Sequence, residues 1–400
     1  LDTPSINFND IPEGETTVRA ADFTVESCAP LTLQIIAGPG ASFSTPLGTT
    51  DALGIAGDSS PRPGKIWIGY TATSPGDIAS GSVTIQWVET GQQWIIPISA
   101  NVVPRPTAVV ELVLDQSGSM DWASGIAELP KRVDVLKASV PPLLDVMYDD
   151  NALGIVSFDH DAYPVMPVTV AGVPVFGAGR IAGRAAVGGH TPNPAGGTAI
   201  GDGVELGQSE LTPETSYDVR AMIVFADGHE TAAKYIVDVD HLINDRVYAI
   251  GLGTADVIQP TALTALTNGS GGYLLLTGDL TGDDYFLLAK YYLQILAGVT
   301  NEDIVLDPEG FLKPGDCHRI PFRLNEADIS SDIILLTPLP EAICFSLETP
   351  DGDLITPAAT AGLPTTDYVS GQNASFYRTS LPVPIGAGAA AGVEVVAPGR

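Results

Sequence analysis

Apolar positions change their period twice along the chain. Up to about residue 103 they alternate or fall in short β-branched and aromatic runs. Leu31-Thr32-Leu33-Gln34-Ile35-Ile36 alternates apolar with polar, and 65–71, 82–88 and 93–99 are β-rich runs, the last two joined by a turn at Thr90-Gly91. Short strands between turn signals predict a β-sandwich over 1–103. Trp67, Trp87 and Trp94 are expected to pack in or against its core, with a binding face as the alternative. Val103-Pro104-Arg105-Pro106 then forms a stiff linker, because proline fixes its own φ and restricts the residue before it. The domains on either side are expected to be held apart at a definite angle.

From 107 to 298, buried strand runs alternate with helical spacing, which predicts a mostly parallel sheet with helices on both faces. Val109-Val110-Glu111-Leu112-Val113-Leu114-Asp115 is the first strand, and 152–158, 221–226, 246–253 and 271–276 are the others. Val133, Leu136, Val140, Leu143, Leu144 and Met147 mark a helix, and Pro141-Pro142 inside it predicts a kink or a break. Residues 171–197 are glycine-rich and read as a long irregular loop. A helix is expected near 231–242. A closing helix over 283–299 carries Phe286, Leu287, Tyr291, Leu293 and Leu296 as its apolar residues. Residues 300–400 return to β composition, with strand candidates at 303–306, 318–324, 332–336, 342–347 and 376–383, and predict a second sandwich. The glycine-alanine run at 386–392 reads as a crossover or tail. The expected fold is a central doubly wound α/β domain between two all-β sandwich domains.

Composition supports that division. Glycine (43) and proline (32) are frequent and aromatics make up only 7% of the 400 residues, which favours turn-rich β structure beside the α/β part. A net charge of −30 argues against nucleic-acid or anionic-membrane partners and confers solubility. No apolar run reaches the roughly 20 residues a bilayer requires. The chain opens on Leu1 without a basic and apolar leader, as a processed product or an excised fragment would. Of three cysteines, Cys28 is expected in the core, while Cys317 and Cys344 form a disulfide or remain two buried thiols.

The candidate chemistry follows the first strand. In Asp115-Gln116-Ser117-Gly118-Ser119-Met120, three oxygen-bearing side chains sit at i, i+2 and i+4 and point the same way in an extended or tightly turning segment. They stand at the carboxyl end of a strand, where open α/β sheets place their ligands. Carboxylate and hydroxyl oxygens are hard donors suited to Mg²⁺, Ca²⁺ or Mn²⁺. The same residue types also tighten turns and cap helices. Two later stretches add to the first: Gly196-Gly197-Thr198-Ala199-Ile200-Gly201-Asp202-Gly203 opening a helix pattern, and Ala221-Met222-Ile223-Val224-Phe225-Ala226-Asp227-Gly228 ending a strand.

In this order the three loops resemble the metal-ion-dependent adhesion site of von Willebrand factor type A domains, over 107–298. The resemblance implies a Rossmann-like domain. It also implies hydroxyl ligands from Ser117 and Ser119, a third from Thr198 directly or through water, and Asp115 and Asp227 acting directly or through water. One position would stay open for an Asp or Glu carboxylate of a partner protein. Residues 1–103 loosely resemble immunoglobulin-like modules of the ASH/Hydin type.

Other motifs add little. Asp159-His160-Asp161 reads as a solvated loop, with a metal site as the alternative. Gly228-His229-Glu230 is not H-E-x-x-H, and neither a G-x-S-x-G elbow nor a P-loop occurs. Asp351-Gly352-Asp353 lacks the other ligands of a calcium loop. Sequons at Asn268 and Asn373 matter only in a glycosylating host. A hydrolase would need a base near the metal, for which only His190 and His229 are at hand, and no catalytic residues are assigned. The expected function is a metal-dependent, adhesion-like protein-binding module, extracellular or on a surface. The alternative is a structural subunit or spacer that self-assembles through its β-sandwiches.

Overall fold

The computed structural model describes residues 4–45, 53–55, 61–253, 260–267, 272, 274–284, 286–323, 330–349, 352–363, 365–381 and 383. The Asn268 sequon, Asp351 and the 386–392 run lie outside the described residues, as do Gly271, Tyr273 and Leu324 of the strand expectations.

The first part contains β1 (Ile6–Pro12), β2 (Thr16–Val25), β3 (Leu31–Ala37), β4 (Phe43–Ser44), β5 (Leu53–Ile55), β6 (Arg62–Thr71), β7 (Ile78–Trp87) and β8 (Gln92–Val103). They form two sheets, ordered β1-β8-β7-β3-β5 and β2-β6-β4. Alternate residues of both sheets meet in one apolar cluster, where Phe8 and Phe43 lie 5.6 and 5.4 Å from the Tyr70 ring. Trp67 is buried, and Trp87 and Trp94 pack half-buried against the cluster. Cys28 is exposed rather than in the core, on the loop before β3.

The central part runs β9 (Ala108–Asp115), α1 (Arg132–Val146), β10 (Ala152–Phe158), β11 (Ala162–Val170), α2 (Ala178–Gly189), α3 (Ile200–Leu211), β12 (Val219–Ala226), β13 (Val247–Gly251), α4 (Pro260–Ala265), β14 (Leu274–Leu276) and α5 (Leu287–Thr300). The sheet order is β11-β10-β9-β12-β13-β14, parallel throughout except for edge strand β11. Every residue of β9 is buried because both faces of the sheet are covered. Val110, Leu112 and Leu114 face α1 and α5, whereas Val109 and Val113 face α3. Strand order reverses between β9 and β12, so the loops leaving these two strands diverge and open a crevice there.

Three expectations for this part are corrected. Residues 171–197 are not one irregular loop, since α2 occupies Ala178–Gly189. Its glycines, poor helix formers, are there for close approach: a Cβ at Gly179 would collide with the Val170 carbonyl, and one at Gly183 would press on Leu144 and Leu153. Arg180 of α2 is fully buried and donates to the carbonyls of Leu144, Asp145 and Met147, satisfying the orphan end of α1. Second, the expected helix near 231–242 is a 3-10 segment, Ile236–Leu242.

The third correction concerns α1, which runs on through Pro141-Pro142 as one helix. Pro142 has no N–H for the carbonyl of Ala138, four residues back. Asn373, from the distant C-terminal part, donates its Nδ2 to that carbonyl at 3.1 Å. Asn373 is itself buried, so the structure uses this sequon asparagine internally. Asn373→Ala is expected to cost about 1 kcal/mol, the worth of a lost hydrogen bond that leaves a part-buried carbonyl unpaired. Urea unfolding measures this, and a change below about 0.5 kcal/mol would mean that the helix tolerates its prolines unaided.

The C-terminal part has fewer and shorter strands than the expected second sandwich. Residues 301–323 form no helix or strand. Pro308, Pro314 and Pro321 remove ladder donors, and the stretch is instead tied along α5, where Lys290 binds Asp307 and Glu309 at 3.1 and 2.6 Å. The expected strands at 303–306 and 318–323 are therefore absent. Beyond them come β15 (Ser330–Leu336), β16 (Leu347–Glu348), β17 (Leu354–Ile355), β18 (Thr366–Ser370) and β19 (Ala374–Ser380), in sheets β15-β19-β18 and β16-β17. The expected strand at 342–347 shrinks to β16. Phe376, Ile334 and Val369 join the core of the central part, so one face of β15-β19-β18 lies on α1, while Tyr377, Ile333 and Tyr368 on its other face share a small core with Leu347 of β16 and Ile355 of β17. Cys317 and Cys344 are both exposed and not bonded to each other, which fits neither expectation for them.

The three parts meet at one junction. The linker's Arg105 pairs with Asp150 and stands 4.5 Å from the Tyr148 ring, and Arg378 of β19 stands 4.1 Å from the same ring. Arg378 also binds Asp332 at 2.6 Å and the Val146 carbonyl at 2.6 Å, and Arg19 of β2 donates to the Leu381 carbonyl at 3.0 Å. The linker is thus clamped into a shared interface instead of spacing two separate domains.

Candidate metal centre

Asp115 closes β9 and Asp227 follows β12, so the strand reversal itself brings two carboxylates together. Neither is exposed. Asp115 Oδ1 accepts the Ser117 N–H at 2.7 Å, an Asx-type turn that bends the chain directly after the strand. Asp115 Oδ2 receives the Asp227 N–H at 3.4 Å. Ser117 Oγ and Ser119 Oγ are 3.0 Å apart, and Ser119 Oγ donates to Asp227 Oδ1 at 2.6 Å. Four of the five sequence-predicted residues therefore form one connected cluster of oxygens.

Thr198, the fifth, makes no hydrogen bond to these four among the described residues, but its loop is joined to theirs. Gly118 N–H donates to the Gly196 carbonyl at 3.3 Å, and Asn193 N–H to the Gln116 carbonyl at 2.7 Å, which joins the second loop to the first. Glycine at 118 eases this closeness, since a Cβ there would lie 3.0 Å from the Pro194 carbonyl oxygen and press the loops apart by a few tenths of an ångström. Thr198 N–H donates to Thr231 Oγ1 at 2.9 Å, and Thr198 is 4% exposed.

Several residues outside the predicted ligand set support or border the cluster. Asp159 is buried, not a solvated loop residue. It accepts from Asn193 Nδ2 at 2.7 Å and from Gln116 Nε2 at 3.4 Å, and it tightens the β10–β11 turn through the N–H groups of His160 and Asp161. Its partners hold its carboxyl below the usual range despite the opposing effect of burial. His190 is buried too, with Nε2 2.9 Å from the Asp115 carbonyl; burial lowers its pKa, so the ring is neutral near pH 7 and donates there. His229 is exposed. Arg132, the first residue of α1, donates to Asp227 Oδ2 at 3.1 Å and to the Asp227 carbonyl at 2.9 Å.

The electrostatics are those of a place short of positive charge. Burial raises the carboxyl pKa of Asp115, and the neighbouring Asp227 raises it further. Burial likewise raises that of Asp227, against the pull of Ser119 and Arg132. One guanidinium faces two buried carboxyls. Adjacent ligands of an octahedral Mg²⁺ stand about 3.0 Å apart when each is about 2.1 Å from the ion. The Ser117–Ser119 oxygen separation of 3.0 Å matches that edge. The donor set is hard oxygen throughout, and it suits Mg²⁺, Ca²⁺ or Mn²⁺ better than softer ions.

No protein-family model matches the chain, and no curated protein matches it. Solved structures do, at low identity and modest TM-score. One is an aerotolerance-related membrane protein from Bacteroides fragilis, at 19% identity and TM-score 0.39 over 48% of this chain and 98% of that one. Another is a von Willebrand factor type A protein from Catenulispora acidiphila, at 15% identity and TM-score 0.41 over 81% of this chain and 63% of that one. A third is proximal thread matrix protein 1 from the mussel byssus, with a zinc-occupied MIDAS motif, at 20% identity and TM-score 0.39 over 49% and 46%. At such identities and TM-scores, what the centre does is decided by its own residues.

Proposed function

We propose that this chain is a divalent-metal-dependent protein-binding module of adhesion type, working at a surface or outside the cell. The observation that carries the reading is the cluster of Asp115, Ser117, Ser119 and Asp227 oxygens at the reversal between β9 and β12, with Thr198 on the adjoining loop. Ser117, Ser119 and Thr198 would hold the ion, with Asp115 and Asp227 acting directly or through water. Hydroxyl ligands neutralise little of a divalent charge, so the bound ion would act as an electrophile toward an Asp or Glu carboxylate of a partner protein. Asp115 and His190 keep the first loop in position, and burial of both aspartates excludes water from one side of the site. Half-buried Ser119 and the exposed Trp122 mark the open side.

The test is Mg²⁺ titration of the whole chain by calorimetry, beside Asp115→Ala and Ser119→Ala. Each variant is expected to lose at least tenfold in metal affinity, as changes next to a metal ordinarily do. Equal isotherms for all three proteins would dismiss the centre. A second reading has its own support in the junction around Arg378 and Tyr148, which makes one body of the three parts, as a scaffold subunit requires. Assembly size measured with and without chelator separates the two, because scaffolding ignores the metal.

A further inference from the structure

Resting on that reading, we propose that Arg132 is the resident counter-cation of the centre, and that a divalent ion competes with it for Asp227 and so reaches the exposed Trp122. Arg132 is the first residue of α1, where the helix dipole presents its positive end. An arginine is disfavoured there unless something nearby holds it. What holds it is Asp227, through both Oδ2 at 3.1 Å and the main-chain carbonyl at 2.9 Å. The other carboxylate oxygen, Oδ1, is taken by Ser119 Oγ at 2.6 Å. Both oxygens of Asp227 are therefore engaged. An ion that uses Asp227, directly or through water, needs one of these contacts to give way. Ser119 is itself a ligand in the proposed centre, so the contact that yields is Arg132.

The displaced charge has a neighbour. The Arg132 guanidinium lies 5.3 Å over the Trp122 ring. Trp122 is 60% exposed, and its backbone is fixed between the metal loop and α1: its N–H donates to the Ser119 carbonyl at 2.9 Å and its carbonyl receives the Arg132 N–H at 3.0 Å. The indole can therefore stay in place while the cation over it moves. Cation–π attraction depends on that distance. Metal loading thereby alters the largest apolar side chain at the open side of the site, the surface that a partner would meet.

The experiment uses the full chain and MgCl₂ alone, read by calorimetry and by tryptophan emission. The chain has four tryptophans, so Trp122→Phe identifies which part of the signal is Trp122's. Arg132→Gln is expected to bind Mg²⁺ roughly tenfold more tightly, because it removes one competing charge. Arg132→Lys keeps that charge and is expected to stay near wild type. Saturating Mg²⁺ should shift the wild-type emission, with the shift lost in Trp122→Phe and reduced in Arg132→Gln. If wild type binds and Arg132→Gln, shown folded by circular dichroism, binds equally or more weakly, the competition is wrong while the centre stands. A wild-type emission that ignores saturating Mg²⁺ overturns the link to Trp122. If wild type, Asp115→Ala and Arg132→Gln all give flat isotherms, the centre itself fails, and this inference with it.

Discussion

Glu111→Met is expected to stabilise the protein, by about 3 kcal/mol at pH 7 and by more as the pH rises. Glu111 sits in the middle of β9, fully buried, opposite Gly154 of β10 and Met222 of β12. Its face of the sheet is the α3 face, where Val109, Val113 and Val204 form an apolar cluster. Neither carboxyl oxygen has a hydrogen-bond partner among the described residues. Gly154 supplies the room, since a Cβ there would collide with the carboxyl. Burial first, and then Glu210 and Glu214, push the Glu111 carboxyl up to about 9 from an ordinary 4.5. The folded protein thus holds a proton that the unfolded chain releases. Stability is complete below the unfolded pKa of 4.5, declines as the pH rises, and is fully lost only above about 9. Methionine is unbranched, close in volume and carries no charge to bury. Unfolding midpoints of both proteins at pH 5 and pH 8.5 provide the check. The gain should be several-fold larger at the higher pH; an equal gain at both, or a loss at pH 8.5, would mean that the carboxyl is charged and paired in the fold.

Glu111 also shows what kind of information the sequence carries. The run Val109–Leu114 is legible as a strand buried on both faces, and its end at Asp115 is legible as a site, because burial and charge change abruptly there. Asp227 after Ala221–Ala226 is legible for the same reason. Helix α2 is not, because the glycines that let it pack closely are the residues that local propensity counts against a helix. The carbonyl that Pro142 frees in α1 is met by Asn373, more than two hundred residues away, which no local rule can supply. In α5 the sequence marks Phe286, Leu287, Tyr291, Leu293 and Leu296, whereas the buried stripe is Leu288, Ala289, Tyr292, Ile295, Leu296 and Val299. That helix is apolar nearly all round, so no polar face fixes its phase. Residues 303–306 have strand propensity but no partner, and charge pairing to Lys290 takes over. Arg132 and Asp159 are single polar residues whose importance comes from loops that only folding brings near them.

Arg378→Ala carries the largest expected loss, about 2–4 kcal/mol, because it leaves a half-buried carboxylate without its counter-charge and a helix carbonyl without its donor. Arg378 is the point where the three parts of the chain converge. Its Nε and Nη2 grip the two oxygens of Asp332 at 2.9 and 2.6 Å, its Nη2 satisfies the Val146 carbonyl at the end of α1, and its guanidinium lies on Tyr148. Removing it deprives Asp332, a helix carbonyl and an aromatic face of one partner at the same time. Arg378→Met combined with Asp332→Leu should recover part of the loss, since a packed apolar pair can replace an ion pair withdrawn from water. Val146 ends α1, whereas Arg132, which touches Asp227, begins it, so the junction and the proposed metal centre stand at opposite ends of one helix. Mg²⁺ affinity in Arg378→Ala is therefore expected to stay within about twofold of wild type, as for distant sites without shared partners, while urea unfolding moves to lower denaturant and the linker at Arg105 becomes open to protease. A cost below about 1 kcal/mol would reduce the junction to an exposed ion pair. A parallel collapse of metal affinity would instead mean that α1 transmits the state of the junction to the centre, and that the three parts act as a single device.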